Sequence, residues 1–332
     1  MSETGGFVQF VFLDWVWIGL FIGLMIICGA IFYRLGKRSE ADFFLAGRGL
    51  PWWLPATSVY ATHTATDTPM WITGTIYRWG MRGLWYPFFS AWCAISPFYS
   101  TRIFRRSLAM SQAEWQNMRY SGLGSELLRG WLAGWQTFMN MFVVAWVSAA
   151  MGKVCLYLFG WPTWIGITLF TSICAIYVLT AGYWGVVMAD FQQGLISFAV
   201  ITLVSCWGIY EAGGPVMIVE RLSELGEGWR TNPFHFDAFW GLDGEKFYAL
   251  DLITLLFMAI FGGLGMGNFI DWYPEAQRIQ SARSVRDAAY SIWAGGLAAI
   301  FRNSFWAASI LAFFVLFPGI ESSAEYEFGW FR

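Results

Sequence analysis

Residues 51–77 read PWWLPATSVYATHTATDTPMWITGTIY, an otherwise apolar stretch that carries His63, Asp67, Pro69 and a run of threonines. An ionisable side chain inside a membrane segment is a functional candidate, because the bilayer disfavours it unless it faces a cavity or a partner. His63 and Asp67 are four apart, so they share one helical face. There they can hydrogen-bond each other and take a solute or water as a third partner. The plainer alternative is a satisfied pair that fixes the segment. Pro69 removes a backbone donor and clashes with the carbonyl four residues back, at Ala65. Carbonyls freed at mid-membrane find nothing in lipid, so they must face protein, water or a cation.

A second unusual segment, FGGLGMGNF, places Gly263, Gly265 and Gly267 within one apolar run. Glycine weakens a helix and permits close backbone approach, so a broken helix is expected there; close helix packing through Gly263 and Gly267 is the alternative. Broken helices at matching places in two halves of a chain mark the binding site of many transporters. Arg302, in AAIFRNSFWAAS, stays charged and is expected to recognise an anionic solute group or to pair with Asp190 or Asp67; a snorkelling or structural role competes. Tyr60, Trp71, Tyr86 and Trp92 fall near the same region, and aromatic faces suit a sugar ring.

These residues must be positioned by membrane helices. The 332 residues are 57% hydrophobic and only 13% charged, about half the charge of a soluble domain. Eight apolar segments are expected, at about 11–33, 52–77, 84–101, 130–158, 162–181, 185–209, 249–271 and 289–318. Their lengths fit helices, and the alternation of a membrane barrel is absent. The first lacks a basic leader and a cleavage site, so it reads as a retained helix. Lys and Arg number 12 in the odd-numbered connections and 6 in the even ones with the C-terminal tail, which places the odd connections in the cytoplasm and both chain ends outside. The net charge of −2 gives no field for nucleic acid. No nucleotide-binding loop and no catalytic constellation is present, so an enzyme is not expected. The five cysteines have no metal-ligand or paired spacing.

Three motifs carry a resemblance: ADFFLAGRGLPWW entering the Thr-rich span, VVMADFQQG in the sixth, and EAQRIQSARSVRDA after the seventh. Together they resemble the sodium/solute symporter family. The resemblance implies an all-α, leucine-transporter-type fold: an extra N-terminal helix over 1–40, a five-helix repeat over 41–210, an outer loop over 211–248, and the first two helices of an inverted repeat over 249–332. It implies sodium as coupling ion, held by carbonyls at Ala61 and Thr64 with Asp190 nearby, and a small organic solute such as a sugar, faced by the position of His63; Asp67, Thr68, Tyr86, Ser90 and Arg302 are the other candidate solute contacts. Galactose-type members carry Gln and Glu where this chain has Thr68 and Pro87, and a Ser where it has Ser90. Members usually have thirteen or fourteen spans. The chain therefore reads as a fragment or half of a split transporter, with lipid and solute as partners and the remaining helices in a second chain or a lost C-terminal half. A symporter-like membrane sensor is the alternative class.

Overall fold

The computed structural model describes residues 11–36, 38–85, 97–234, 242–243, 246–247 and 276–318. They are mostly helical. In chain order the helices are α1 (Phe12–Gly36), α2 (Glu40–Leu45), α3 (Trp53–Thr62), α4 (Asp67–Trp79), α5 (Pro97–Ser107), α6 (Gln112–Arg119), α7 (Leu123–Phe159), α8 (Thr163–Glu211), α9 (Gly214–Glu224) and α10 (Val285–Leu316). A two-residue antiparallel pair joins Leu242–Asp243 to Lys246–Phe247.

Among the described residues α7, α8 and α10 are long and apolar enough to cross a membrane. At 1.5 Å per residue the 49 residues of α8 would span about 74 Å as one straight rod, more than twice a hydrocarbon core of about 30 Å. Gly182 divides it. Its φ of 59° and ψ of −152° lie in a region only glycine adopts without strain. A Cβ there would also meet the Phe43 carbonyl oxygen at 2.8 Å. The second of the three motifs thus starts four residues after a bend seated on the first.

Both halves of the Thr-rich segment pack on α10. α3 lies against its N-terminal half, where Val59 joins Ile292 and Ala288 in one buried cluster. Gly295 makes this possible: a Cβ would come within 2.7 Å of Val59 Cγ1 and 3.0 Å of the Ala56 carbonyl. α4 lies against the C-terminal half, with Ile72 and Ile76 in a second cluster beside Trp306, Ile310 and Phe314. The two halves of the Thr-rich segment therefore rest on opposite ends of one helix, and the gap between them falls at its middle.

The first and third motifs meet below α3. Leu50 pairs with Ala282 in a parallel bridge; the Leu50 N–H donates to the Ser281 carbonyl at 3.1 Å, and the Arg283 N–H donates to the Leu50 carbonyl at 2.8 Å. Arg105 Nε donates to the Ala282 carbonyl at 2.8 Å. Asp287, in the first turn of α10, accepts from Ser284, Arg283 and the Trp52 backbone N–H. Burial works against its carboxylate, but these hydrogen bonds prevail and hold the carboxyl below its ordinary range. Helix α10 and the entry to α3 are thus tied through one side chain.

Candidate functional site

α3 ends at Thr62 and α4 begins at Asp67, so residues 63–66 interrupt the second apolar segment. Pro69 sits in the first turn of α4, where its missing N–H removes no helical bond. The interruption precedes the proline rather than centring on it. With the helix stopped, His63 and Asp67 no longer share a helical face; that expectation required a continuous helix. The ladder loosens over the last turn: the His63 N–H reaches the Val59 carbonyl at 3.3 Å, and the Thr64 N–H reaches the Ala61 carbonyl at 2.9 Å. Thr64 Oγ1 donates to the Tyr60 carbonyl at 2.7 Å. Among the described residues the Thr64 carbonyl accepts no hydrogen bond.

Two arginines flank the interruption, both from the last part of the chain. On the α3 side stands a closed network. Asp190 Oδ2 accepts the Ser58 hydroxyl at 2.5 Å and faces Arg278 Nη2 at 3.5 Å. Arg278 Nε donates to Ser58 Oγ at 2.9 Å, and Nη2 donates to Thr62 Oγ1 at 2.5 Å. Asp190 and Arg278 are 9% and 5% exposed and Ser58 is fully buried. A buried charge is tolerated only when paired and hydrogen-bonded, and here both conditions are met. The three motifs meet at this point, since Asp190 belongs to the second, Arg278 to the third, and α3 follows the first.

Arg302 stands at the interruption itself, 4% exposed at the middle of α10. Its Nη1 donates to the His63 carbonyl at 2.6 Å and to the Thr64 hydroxyl. Nε and Nη2 both donate to Asn303 Oδ1, at 3.0 and 2.8 Å, and the guanidinium lies over the Tyr60 ring, 5.5 Å from its centroid. It pairs with neither Asp190 nor Asp67: Asp190 is held by Arg278, and Asp67 Oδ1 is buried with no hydrogen-bond partner. Thr68 Oγ1 donates to the His63 carbonyl at 3.3 Å, so that single oxygen serves two donors. The His63 side chain is exposed.

Ala61, His63, Thr64, Asp67, Thr68 and Arg302 are thus gathered at one place, with Asp190 one turn of α3 below. Tyr86, Ser90, Gly263, Gly265 and Gly267 lie outside the described residues. Arg278, Ser58 and Asn303 were not expected at the site. Arg278 lies in the third motif, where its polar sequence neighbours give it the character of a loop charge. A separate cavity of about 1070 Å³ lies along α7 and the first half of α8, lined by Gln136, Asn140, Ser148 and Thr171 among others. Met151, one turn of α7 beyond Ser148, accepts at Sδ from Thr66 Oγ1 at 3.7 Å.

The sodium:solute symporter family model matches residues 43–312, a span that begins in the first motif and ends in α10. The osmoregulated proline transporter OpuE of Bacillus subtilis (strain 168) is 24% identical over 263 residues, covering 73% of this chain and 51% of that protein. The sodium/glucose cotransporter of Vibrio parahaemolyticus is 24% identical over 328 residues, covering 94% and 55%. The chain spans about half the length of these curated relatives. A solved structure, the substrate-bound outward-open state of a Na+-coupled sialic acid symporter, superposes with a TM-score of 0.75 at 20% identity, covering 96% of this chain and 66% of that one. The fold is therefore that of a symporter of this kind.

Proposed function

Because the chain belongs to the sodium:solute symporter family, we propose that it forms part of a sodium-coupled transporter that carries a small organic solute across a membrane by alternating access. One observation carries this reading: a helix is interrupted at 63–66 inside a segment whose length and apolarity suit a bilayer. Main-chain oxygens there lie outside the regular helical ladder and can meet a cation and a solute without a full desolvated charge. In this reading the coupling ion is sodium, a hard cation best held by oxygen. The carbonyls of Ala61 and Thr64 hold it, with Asp190 supplying the nearby negative charge. The solute lies on the other side of the interruption, against His63, Asp67, Thr68 and Arg302, with Tyr86 and Ser90 completing its surroundings.

The fold class follows the same line: a first repeat over 41–210, an outer loop over 211–248, and the start of an inverted second repeat from 249, broken at Gly263, Gly265 and Gly267. The remaining helices come from the rest of a longer transporter or from a second chain. The odd-numbered connections face the cytoplasm. Sodium from outside stabilises the outward-facing form and the solute binds beside it; the gradient does work only because ion and solute bind the two states with different affinity.

The test is Asp190→Asn, measured as sodium-dependent solute binding or uptake with the remaining helices supplied. The sodium concentration for half-activation should rise by about tenfold or more, the equivalent of roughly 1.4 kcal/mol, measured on the folded fraction, because the substitution also takes the carboxylate away from Arg278. Unchanged sodium activation would remove Asp190 from the ion site.

A further inference from the structure

The two charged side chains at the interruption are placed alike. Arg302 is buried, spends its donors on one carbonyl, one hydroxyl and one amide oxygen, and has no carboxylate partner among the described residues. Asp67 begins α4, and its Oδ1 is buried without any hydrogen bond. Neutral oxygens solvate a guanidinium but do not neutralise it, and an unpaired charge in a low-dielectric site costs several kcal/mol. Helix ends soften both charges, since Arg302 meets the C-terminus of α3 and Asp67 the N-terminus of α4. That leaves a buried cation and a half-buried carboxylate with one buried oxygen, at the edges of the same four-residue gap, which do not pair with each other.

Their spacing is bounded by the chain. Arg302 is bonded at His63 and Thr64, and Asp67 follows Thr64 by three residues, which span at most about 10 Å when extended. Two hydrogen-bonded ion contacts of about 2.8 Å each, joined through a molecule whose own charges are a few bonds apart, fit within that limit. Resting on the symport reading, we propose that the solute is a small zwitterion of the α-amino-acid type. Its carboxylate takes the Arg302 guanidinium in place of the Thr64 hydroxyl, and its ammonium donates to Asp67 Oδ1. A neutral sugar leaves both charges without a counter-charge. A dicarboxylate sets a second anion against Asp67.

The experiment uses the chain with the remaining helices supplied, purified and reconstituted in nanodiscs. Binding of L-alanine, L-proline, propionate, propylamine and D-glucose is measured by calorimetry in sodium and in choline buffers. An amino acid should bind at least about tenfold tighter than the acid or amine alone. Arg302→Gln and Asp67→Asn should each weaken it by about thirtyfold or more, the loss seen when one partner of a desolvated charge pair is removed. Asp67→Asn keeps the Arg302 contacts to α3 intact, so its result stands even if Arg302→Gln folds poorly. Tight binding of glucose or propionate with no amino-acid binding overturns the zwitterion, as does failure of every amino acid to bind or indifference of its binding to Asp67→Asn. The symport reading fails separately, if an amino acid binds equally in sodium and choline.

Discussion

The two sides of the interrupted helix use the same kind of residue to opposite effect. Below it, Arg278 and Asp190 form a complete set: cation, carboxylate and two hydroxyls, each with a partner within the chain. Above it, Arg302 and Asp67 form an incomplete one, in which the cation leans on neutral oxygens and one carboxylate oxygen has nothing. Burial is similar for the two arginines, at 5% and 4% exposure, so burial does not separate the roles. What separates them is whether the charge is answered inside the chain. A charge answered internally holds helices together, and a charge left open marks where something else must come.

That contrast is most sharply tested by stability. Arg278→Met strands Asp190 in the interior, and breaking one partner of a buried pair costs about 3–5 kcal/mol. The midpoint of thermal unfolding and the folded yield should both fall steeply, and adding Asp190→Leu should recover most of the loss. Arg302→Gln removes bonds to the His63 carbonyl and the Thr64 hydroxyl but strands no carboxylate, and should cost about 1–3 kcal/mol. If the two single substitutions destabilise equally, the division into an answered and an open charge is wrong.

The same contrast governs how far the residues could be read in advance. The Thr-rich segment, His63, Asp67 and Pro69 announced an interruption, because each is a poor fit to lipid. The bend at Gly182 fell where one apolar segment was expected to end and the next to begin. Arg302 was legible for the same reason, as a charge in an apolar run. Arg278 was not, because in its own stretch it has polar neighbours, and only folding brings Ser58, Thr62 and Asp190 to it from 88 to 220 residues away. Arg230 was hidden in the same way. It looks like a loop base, yet it is 8% exposed, bonded to the Tyr77 carbonyl and to Glu227, and ringed by Tyr77, Trp229 and Phe314. A sequence shows which groups the bilayer will not accept; it does not show which distant groups will accept them.

The bend in α8, the helix that carries Asp190, gives a smaller effect. Gly182→Ala forces a side chain into the left-handed region and against Phe43, which should cost about 1–3 kcal/mol. Because α8 carries Asp190 eight residues beyond the bend, the substitution should also shift the sodium concentration for half-activation. The open side, held by α10 rather than α8, should keep its solute affinity at saturating sodium. Loss of solute affinity with sodium activation unchanged would mean that the bend serves the other region.

The smallest effect lies where the two regions are anchored together, at Asp287. Its carboxyl is held below the ordinary value of 3.8, so the unfolded chain binds its proton more readily than the folded one. The stabilisation is therefore complete above that value and fades as pH falls through the lower, folded one. Asp287→Asn keeps the shape while losing the charge, and should unfold earlier than the parent chain at neutral pH by an amount that shrinks below about pH 4. Ser284→Ala removes the N-cap that accepts the Asp287 N–H at 3.0 Å and should cost about 1 kcal/mol with little pH dependence of its own. Thermal unfolding of the three proteins across this range separates charge from cap. A gap between Asp287→Asn and the parent that stays constant down to pH 3 would show that the carboxylate ties α10 to Trp52 by shape alone.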